Sequence, residues 1–247
     1  MNKKIIIGAR GSKLSLSYAE IVKNLFLSAS YQKIEIEIKT IKTSGDIFHD
    51  KKISDIGGKN IFCKEIERQL SEKKIDIAVH SLKDMDSFEE NELMIGAYIK
   101  RNDPRDVIVL QKDKSLDNEK LIIGSSSKRR ELQFKTHFKN LRFKNIRGNI
   151  DSRISKVKNG EYDGVILALA GIQKLNLEDK IKEIFSEKKI IPSAGQGIIA
   201  VQCRKNDLEN KKILEKINDK NTKICALTER SLLQTIGGDC HTAVGAY

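Results

Sequence analysis

Ile34, Ile36 and Ile38 alternate with charged positions, the two-residue period of a strand covered on one face, while Lys13 to Leu27 carries its apolar residues at helical spacing. Short apolar runs at Lys4 to Gly8 and Ile75 to Val79 read as buried strands, with a helix from Asn60 to Lys73 before the second. A further set follows: strands Asp106 to Leu110 and Leu121 to Gly124, helix Lys128 to Phe138, strand Arg142 to Asn145, helix Ile150 to Asn159 and strand Gly164 to Ala168. Strands alternating with helices predict an α/β fold of parallel units, and the two sets predict two similar lobes. The stretch around Pro192 and Ser193-Ala194-Gly195-Gln196-Gly197 reads as a crossover between them. Strand Ile198 to Gln202, helices Asp207 to Ile217 and Lys223 to Ile236, and a strand-like run starting at Ala243-Val244 complete the pattern. An internal echo supports two lobes, because Gly8-Ala9-Arg10-Gly11-Ser12-Lys13 and Gly124-Ser125-Ser126-Ser127-Lys128 each lead from a strand through Gly and Ser into a helix. Free N–H groups and the dipole at such a start favour an anion, although an ordinary serine cap is the better explanation of either opening alone, and only their repetition favours the anion.

Length and composition narrow the class. With 247 residues, 39% of them hydrophobic and only two prolines, the chain can bury real cores without disulfides or metals. No apolar run approaches the roughly 20 residues of a membrane span, and Ile5 to Gly8 is too short for the core of an export signal. The expectation is a cytoplasmic protein working away from membranes. Its four cysteines, Cys63, Cys203, Cys225 and Cys240, show no close pairing, which argues against disulfides and against a metal site. A net charge of +12 admits nucleic acid, an anionic surface or an anionic small molecule, and a lysine-rich composition accounts for it without any ligand. Arginine is more informative: of 11 residues, Arg129, Arg130, Arg142, Arg147 and Arg153 fall within 25 positions. Such a cluster suits a ligand with several carboxylates, each held as a bidentate pair. It would also follow a nucleic-acid backbone, but aromatic residues make up only 5% and there is no Trp to stack on bases.

Candidate chemistry gathers at few places. His80-Ser81-Leu82-Lys83-Asp84 follows the Ile75 strand at its carboxyl end, where open α/β sheets bind ligands. Asp84 there suits an acid, a base or a partner for a cation, Lys83 an anionic group, and the bland alternative is a solvated loop. Gly57-Gly58-Lys59 lacks the spacing of a phosphate-binding P-loop. Cys240, in Gly237-Gly238-Asp239-Cys240-His241, is either an activated thiol or a cysteine of no consequence.

Taken together, the motifs resemble the porphobilinogen deaminase (hydroxymethylbilane synthase) family over nearly the whole chain, in order. They are Gly8 to Leu14, Gly57-Gly58-Lys59 with Phe62 and Glu65, Ala78 to Asp84, Arg101 to Asp106, Gly124 to Arg130, Arg147 to Arg153, Ala170-Gly171-Ile172, Pro192 to Gly197 and Gly237 to Cys240. The resemblance implies an enzyme, a transferase of haem and other tetrapyrrole biosynthesis, that joins four porphobilinogen molecules and releases ammonia at each step. It implies a dipyrromethane cofactor, one per chain, held by a thioether to Cys240, with Asp84 as the catalytic group. Lys83, Ser81, Ser127, Arg129 and Arg130 are implied to hold the cofactor, and Arg10, Ser12, Arg147, Arg153 and Lys174 the substrate. Arg129, Arg130, Arg147 and Arg153 are expected to lie at the surface and to contribute little to the core. The implied fold is α/β with two periplasmic-binding-protein-like lobes and a small third domain, truncated here. Residues 1–99 and 196–217 would form domain 1, 100–195 domain 2, and 218–247 the start of domain 3. The implied state is a monomer with a small-molecule substrate and neither nucleic acid nor membrane as partner. This sequence departs from the family pattern in Asp86 for Pro, Asn60 for Gly and Lys174 for Arg, and it stops at Tyr247 where members continue. A two-lobed binding protein without turnover and a nucleic-acid-binding protein are the rival readings.

Overall fold

A computed structural model describes residues 3–30, 34–47, 61–89, 91–116, 120–238 and 242–247. They form two units: one contains the described residues up to Arg101 and those from Ile198 to Gly238, the other residues 102–197 and 242–247.

In the first unit the chain runs β1 (Lys3–Arg10), α1 (Lys13–Ala29), β2 (Ile34–Ile41), α2 (Ser44–Ile47), α3 (Lys64–Ser71), β3 (Ile77–Ser81) and β4 (Leu93–Tyr98). Helix α1 starts where the Ser12 hydroxyl accepts from the Ser15 amide, and it turns Tyr18, Ala19, Val22 and Phe26 inward. Those side chains pack on Ile5, Ile7, Ile77 and Val79, the alternate residues of two neighbouring strands. The other sheet face is covered by Ile66 and Leu70 of α3. Helix α3 ends at Ser71, short of the expected Lys73, whose backbone turns left-handed (φ 58°); Asn60, the expected start, lies outside the described residues.

The second unit follows with β5 (Asp106–Leu110), β6 (Ile122–Gly124), α4 (Lys128–His137), β7 (Arg142–Lys144), α5 (Ile150–Lys158), β8 (Gly164–Ala168), α6 (Leu169–Lys174) and β9 (Glu183–Ile184). Its sheet is filled on one face by Val107, Val165 and Leu167 against α5 and α6, and on the other by Ile108, Ile123 and Ile166 against Phe134 and Phe185, whose rings meet edge to face at 4.8 Å. The chain then returns to the first unit as β10 (Ile199–Arg204), α7 (Leu208–Ile217) and α8 (Lys220–Thr235).

The strand orders are β2-β1-β3-β10-β4 and β7-β6-β8-β5-β9. In each sheet four of the five strands point the same way, three of them joined in parallel ladders as the alternation predicts, but β10 runs antiparallel to β3 and β4, and β5 antiparallel to β8 and β9. The antiparallel strand is in each case the first one reached when the chain arrives from the other unit, with no crossover helix to reverse it. The run at Ala243-Val244 forms no strand. Its backbone instead turns, with Val244 N bonded to Thr242 O at 2.8 Å and Ala246 N to Pro192 O at 2.9 Å.

Candidate functional site

Gly8 pairs with Ala78 in the parallel β1–β3 ladder, so Arg10 and the His80–Asp84 segment emerge at the same end of the first sheet. Arg10 donates to Asp46 through Nη2 at 2.5 Å and Nε at 3.3 Å, and its guanidinium lies 4.2 Å from the centre of the Phe62 ring. Burial by itself would raise the Asp46 carboxyl, but the Arg10 and Thr43 donors outweigh it and hold it below the usual carboxylate range. Ser12 is occupied as the α1 cap. After β3, a single 3-10 turn (Leu82–Asp84) anchored by buried Leu82 leaves Ser81, Lys83 and Asp84 half-buried. The Asp84 carbonyl accepts from the Cys63 thiol at 3.5 Å. Burial, and then the Asp84 charge, push the Tyr18 phenol up to about 12, so a carboxylate and a neutral phenol share this corner.

His80 is buried, and Gln202 of the neighbouring strand β10 offers its ring a hydrogen bond. Burial outweighs that bond, which by itself would raise the imidazole, and pushes it down to about 4, which keeps it neutral near pH 7. His80 stands in β3, between β1 and β10.

The equivalent end of the second sheet carries the arginine cluster. Ser127 caps α4, accepting from the Arg130 amide at 3.4 Å, and Ser126 Oγ donates to the Ile146 carbonyl. Arg129 and Arg130 are not surface groups: they are 4% and 7% exposed and converge on Asp106, which is fully buried. Arg129 Nη2 reaches Asp106 Oδ2 at 2.7 Å, and Arg130 reaches Oδ1 through Nη2 at 2.7 Å and Nε at 3.1 Å. Gln196 Nε2 joins the same oxygen at 2.8 Å and the Pro104 carbonyl at 2.6 Å. Burial would raise the Asp106 carboxyl, but the two guanidiniums dominate and hold it far below the usual range. Two cations against one anion leave a net positive charge here, and Arg129 Nε is buried without a partner among the described residues. Arg153 is half-buried, its Nε donating to the Gly148 carbonyl at 2.7 Å. Arg147 and Lys174, also half-buried, follow β7 and close α6; Arg142 is exposed.

The structure thus gathers the predicted residues into two sets, Arg10, Ser12, Ser81, Lys83 and Asp84 in one unit and Ser127, Arg129, Arg130, Arg147, Arg153 and Lys174 in the other. Cys240 and Gly57 to Asn60 lie outside the described residues. Sequence reasoning missed Asp46, Asp106 and Gln196 as partners of the arginines. Asp106, an acid opening the apolar run Val107-Ile108-Val109, was the available signal, since a carboxylate at a buried strand needs a cation.

Residues 5–212 match the family model described as porphobilinogen deaminase, dipyromethane cofactor binding domain. The chain is 40% identical over 247 residues to a porphobilinogen deaminase of Alkaliphilus metalliredigens, covering 99% of this chain and 78% of that one. With a porphobilinogen deaminase of Clostridioides difficile it shares 42% identity over 246 residues, 98% of this chain and 81% of the other. Among solved structures, the periplasmic VFT2 domain of Bordetella pertussis BvgS superposes with a TM-score of 0.51 at 14% identity, covering 92% of each chain. A ligand-binding component of an ABC-type import system from Staphylococcus aureus gives 0.50 at 14% identity, over 99% of this chain and 86% of that one. At such identities the likeness speaks to the fold alone, the two-lobed α/β architecture of periplasmic binding proteins.

Proposed function

The chain belongs to the porphobilinogen deaminase family, a family of enzymes whose dipyrromethane-binding domain it carries, and from that premise we propose that it joins four porphobilinogen molecules head to tail into hydroxymethylbilane. At each addition the aminomethyl C–N bond breaks, ammonia leaves, and the cationic carbon bonds to a neighbouring pyrrole carbon that gives up its proton; release of the finished tetrapyrrole takes up one water, which supplies the hydroxymethyl oxygen. Asp84 is assigned to that cation. A carboxylate about 4 Å from a unit positive charge gains roughly 4 kcal/mol at an effective dielectric near 20, and it can also accept a pyrrole N–H. The observation that carries the reading is the half-buried Asp84 just past the carboxyl end of β3, whose residues Ile77 to His80 are all buried, in a chain matching this family.

Dipyrromethane, when bound, supplies the pyrrole end on which the first addition is made. Its acetate and propionate groups ask for cationic donors, and the buried, unpartnered Nε of Arg129 beside a net positive charge fits that demand. Cys240 would hold it by a thioether, with Lys83, Ser81, Ser127, Arg129 and Arg130 around its carboxylates. Arg10, Ser12, Arg147, Arg153 and Lys174 would take those of the substrate. A product carrying this many carboxylates gives the basic excess a use that requires no nucleic acid. No helix among the described residues is long and apolar enough to cross a membrane. We read the protein as a cytoplasmic monomer, with residues 1–99 and 196–217 as a discontinuous first domain, 100–195 as the second and 218–247 as the start of a third.

The intact mass of the purified protein tests this. The wild type should exceed its sequence mass of 27.9 kDa by a two-pyrrole adduct that Cys240→Ser abolishes. Asp84→Asn should keep the adduct while turnover falls by about two to three orders of magnitude. An unmodified yet active wild type would falsify the Cys240 assignment, and a modified protein without turnover would return the chain to the class of binding proteins.

A further inference from the structure

Three residues beyond Asp84, Ser87 commits both its hydroxyl and its carbonyl to the end of α8. Its Oγ donates to the Gly238 carbonyl at 3.2 Å, and its own carbonyl accepts from Arg230 Nη2 at 2.9 Å and Gln234 Nε2 at 2.6 Å. Ser87 is 2% exposed and Arg230 5%, so the bonds to Gly238 and Arg230 are shielded from water and worth more than surface ones, while Gln234 closes the node from its exposed side. Arg230 and Gln234 stand four positions apart on one helix face, so a single carbonyl can receive both. Asp86 shapes the same bend, its Oδ1 accepting from the Phe88 amide at 3.4 Å.

Anchoring of α8 does not depend on this node. Further up the helix Glu229 binds Arg101 through both carboxylate oxygens, the Thr222 hydroxyl accepts from the Arg101 amide, and Ala226 packs in the core. What the node adds lies at the last turn, where it ties a residue three past Asp84 to one two before Cys240. Resting on the roles assigned above to Asp84 and Cys240, we propose that Ser87, Arg230 and Gln234 are positioning residues that hold the start of the cofactor-bearing loop in register with the segment carrying Asp84. A ring tethered at one end of this link must present itself repeatedly to a carboxylate at the other, and misplacement by about 1 Å can cost up to a hundredfold in rate.

The full-length protein carrying Ser87→Ala or Gln234→Met tests it, with Ser87→Thr as the variant that keeps the hydroxyl. Intact mass, kcat, KM, the urea midpoint and amide exchange over residues 236–244 would be measured on each. The expected result is an intact adduct, kcat down about tenfold with KM within about twofold, and faster exchange over 236–244 while α1 is unchanged. Ser87→Thr should recover much of both effects. Because exchange is read whatever Cys240 carries, it reports on the link independently of catalysis. Unchanged exchange and kcat would overturn the proposal, as would faster exchange at normal kcat, which would leave the node a mere fastening. A wild type lacking the adduct would instead remove the underlying reading of Cys240, and the register argument with it.

Discussion

Replacing the Asp106 carboxylate by the amide of asparagine leaves Arg129 and Arg130 buried side by side with no anion between them. Removing one partner of a buried ion pair typically costs about 3–5 kcal/mol, so Asp106→Asn should lower the free energy of urea unfolding by that order. A loss below about 1 kcal/mol would mean that the carbonyls of Ile191 and Ile166 suffice to hold the guanidiniums. His80 makes a second prediction at this scale. Its folded-state value near 4 lies below the ordinary 6.5, so between those pH values the unfolded chain binds a proton that the folded chain refuses. Stability should therefore fall on acidification from about pH 6.5 to 4, by up to about 3 kcal/mol, and His80→Gln should flatten that slope. An unaltered slope in the variant would assign the acid sensitivity elsewhere. The residues of the candidate site were legible as motifs, because Asp84 and the arginines stand in short local patterns. Their partners were not, since Asp106 and Gln196 lie 23 and 90 positions from the groups they meet and only tertiary packing brings them there.

Two glycines of equivalent strands, Gly8 near the end of β1 and Gly124 at the end of β6, should respond differently to alanine. A Cβ on Gly8 would come within 2.3 Å of Ile75 Cδ1, the free end of a side chain that can rotate away. On Gly124 it would meet Cδ1, Cβ and Cγ2 of Ile146 at 2.8 to 3.1 Å, and a Cβ cannot move without its backbone. Gly124→Ala is expected to cost about 1–3 kcal/mol in urea unfolding and Gly8→Ala less; the reverse order would mean that Ile75 is the more rigid neighbour. At this scale the period-two and helical patterns located most elements to within a few residues. Strand β4 escaped because Gly96 interrupts it, and the reason is packing: a Cβ there would sit 2.6 Å from Leu214 Cδ1 of α7. Helix α6, six residues long, is too short to show a period. Antiparallel pairing was equally hidden, because one strand's pattern of burial says nothing about the direction of its neighbour.

At the scale of the molecule, two lobes were readable from the echo of Gly8–Lys13 in Gly124–Lys128, and the five-strand orders of the two sheets repeat each other with the returning strand fourth in one and its counterpart fourth in the other. Each unit closes its own cores, α1, α3 and α7 in the first and α4, α5 and α6 in the second. Strand β10 fills the gap between β3 and β4, and Ile199 pairs with Ser81, 118 positions earlier. During synthesis, then, the first sheet waits in two pieces, β2-β1-β3 and a lone β4, while the ribosome makes the whole span from 102 to 197. At about 5–20 residues per second that interval is on the order of ten seconds. All five strands of the second sheet emerge within it, so the unit encoded later has the earlier chance to fold. Through that interval the nascent chain carries two bare strand edges, β3 and β4, and a message cut short before codon 199 would yield a product with no strand to cover them.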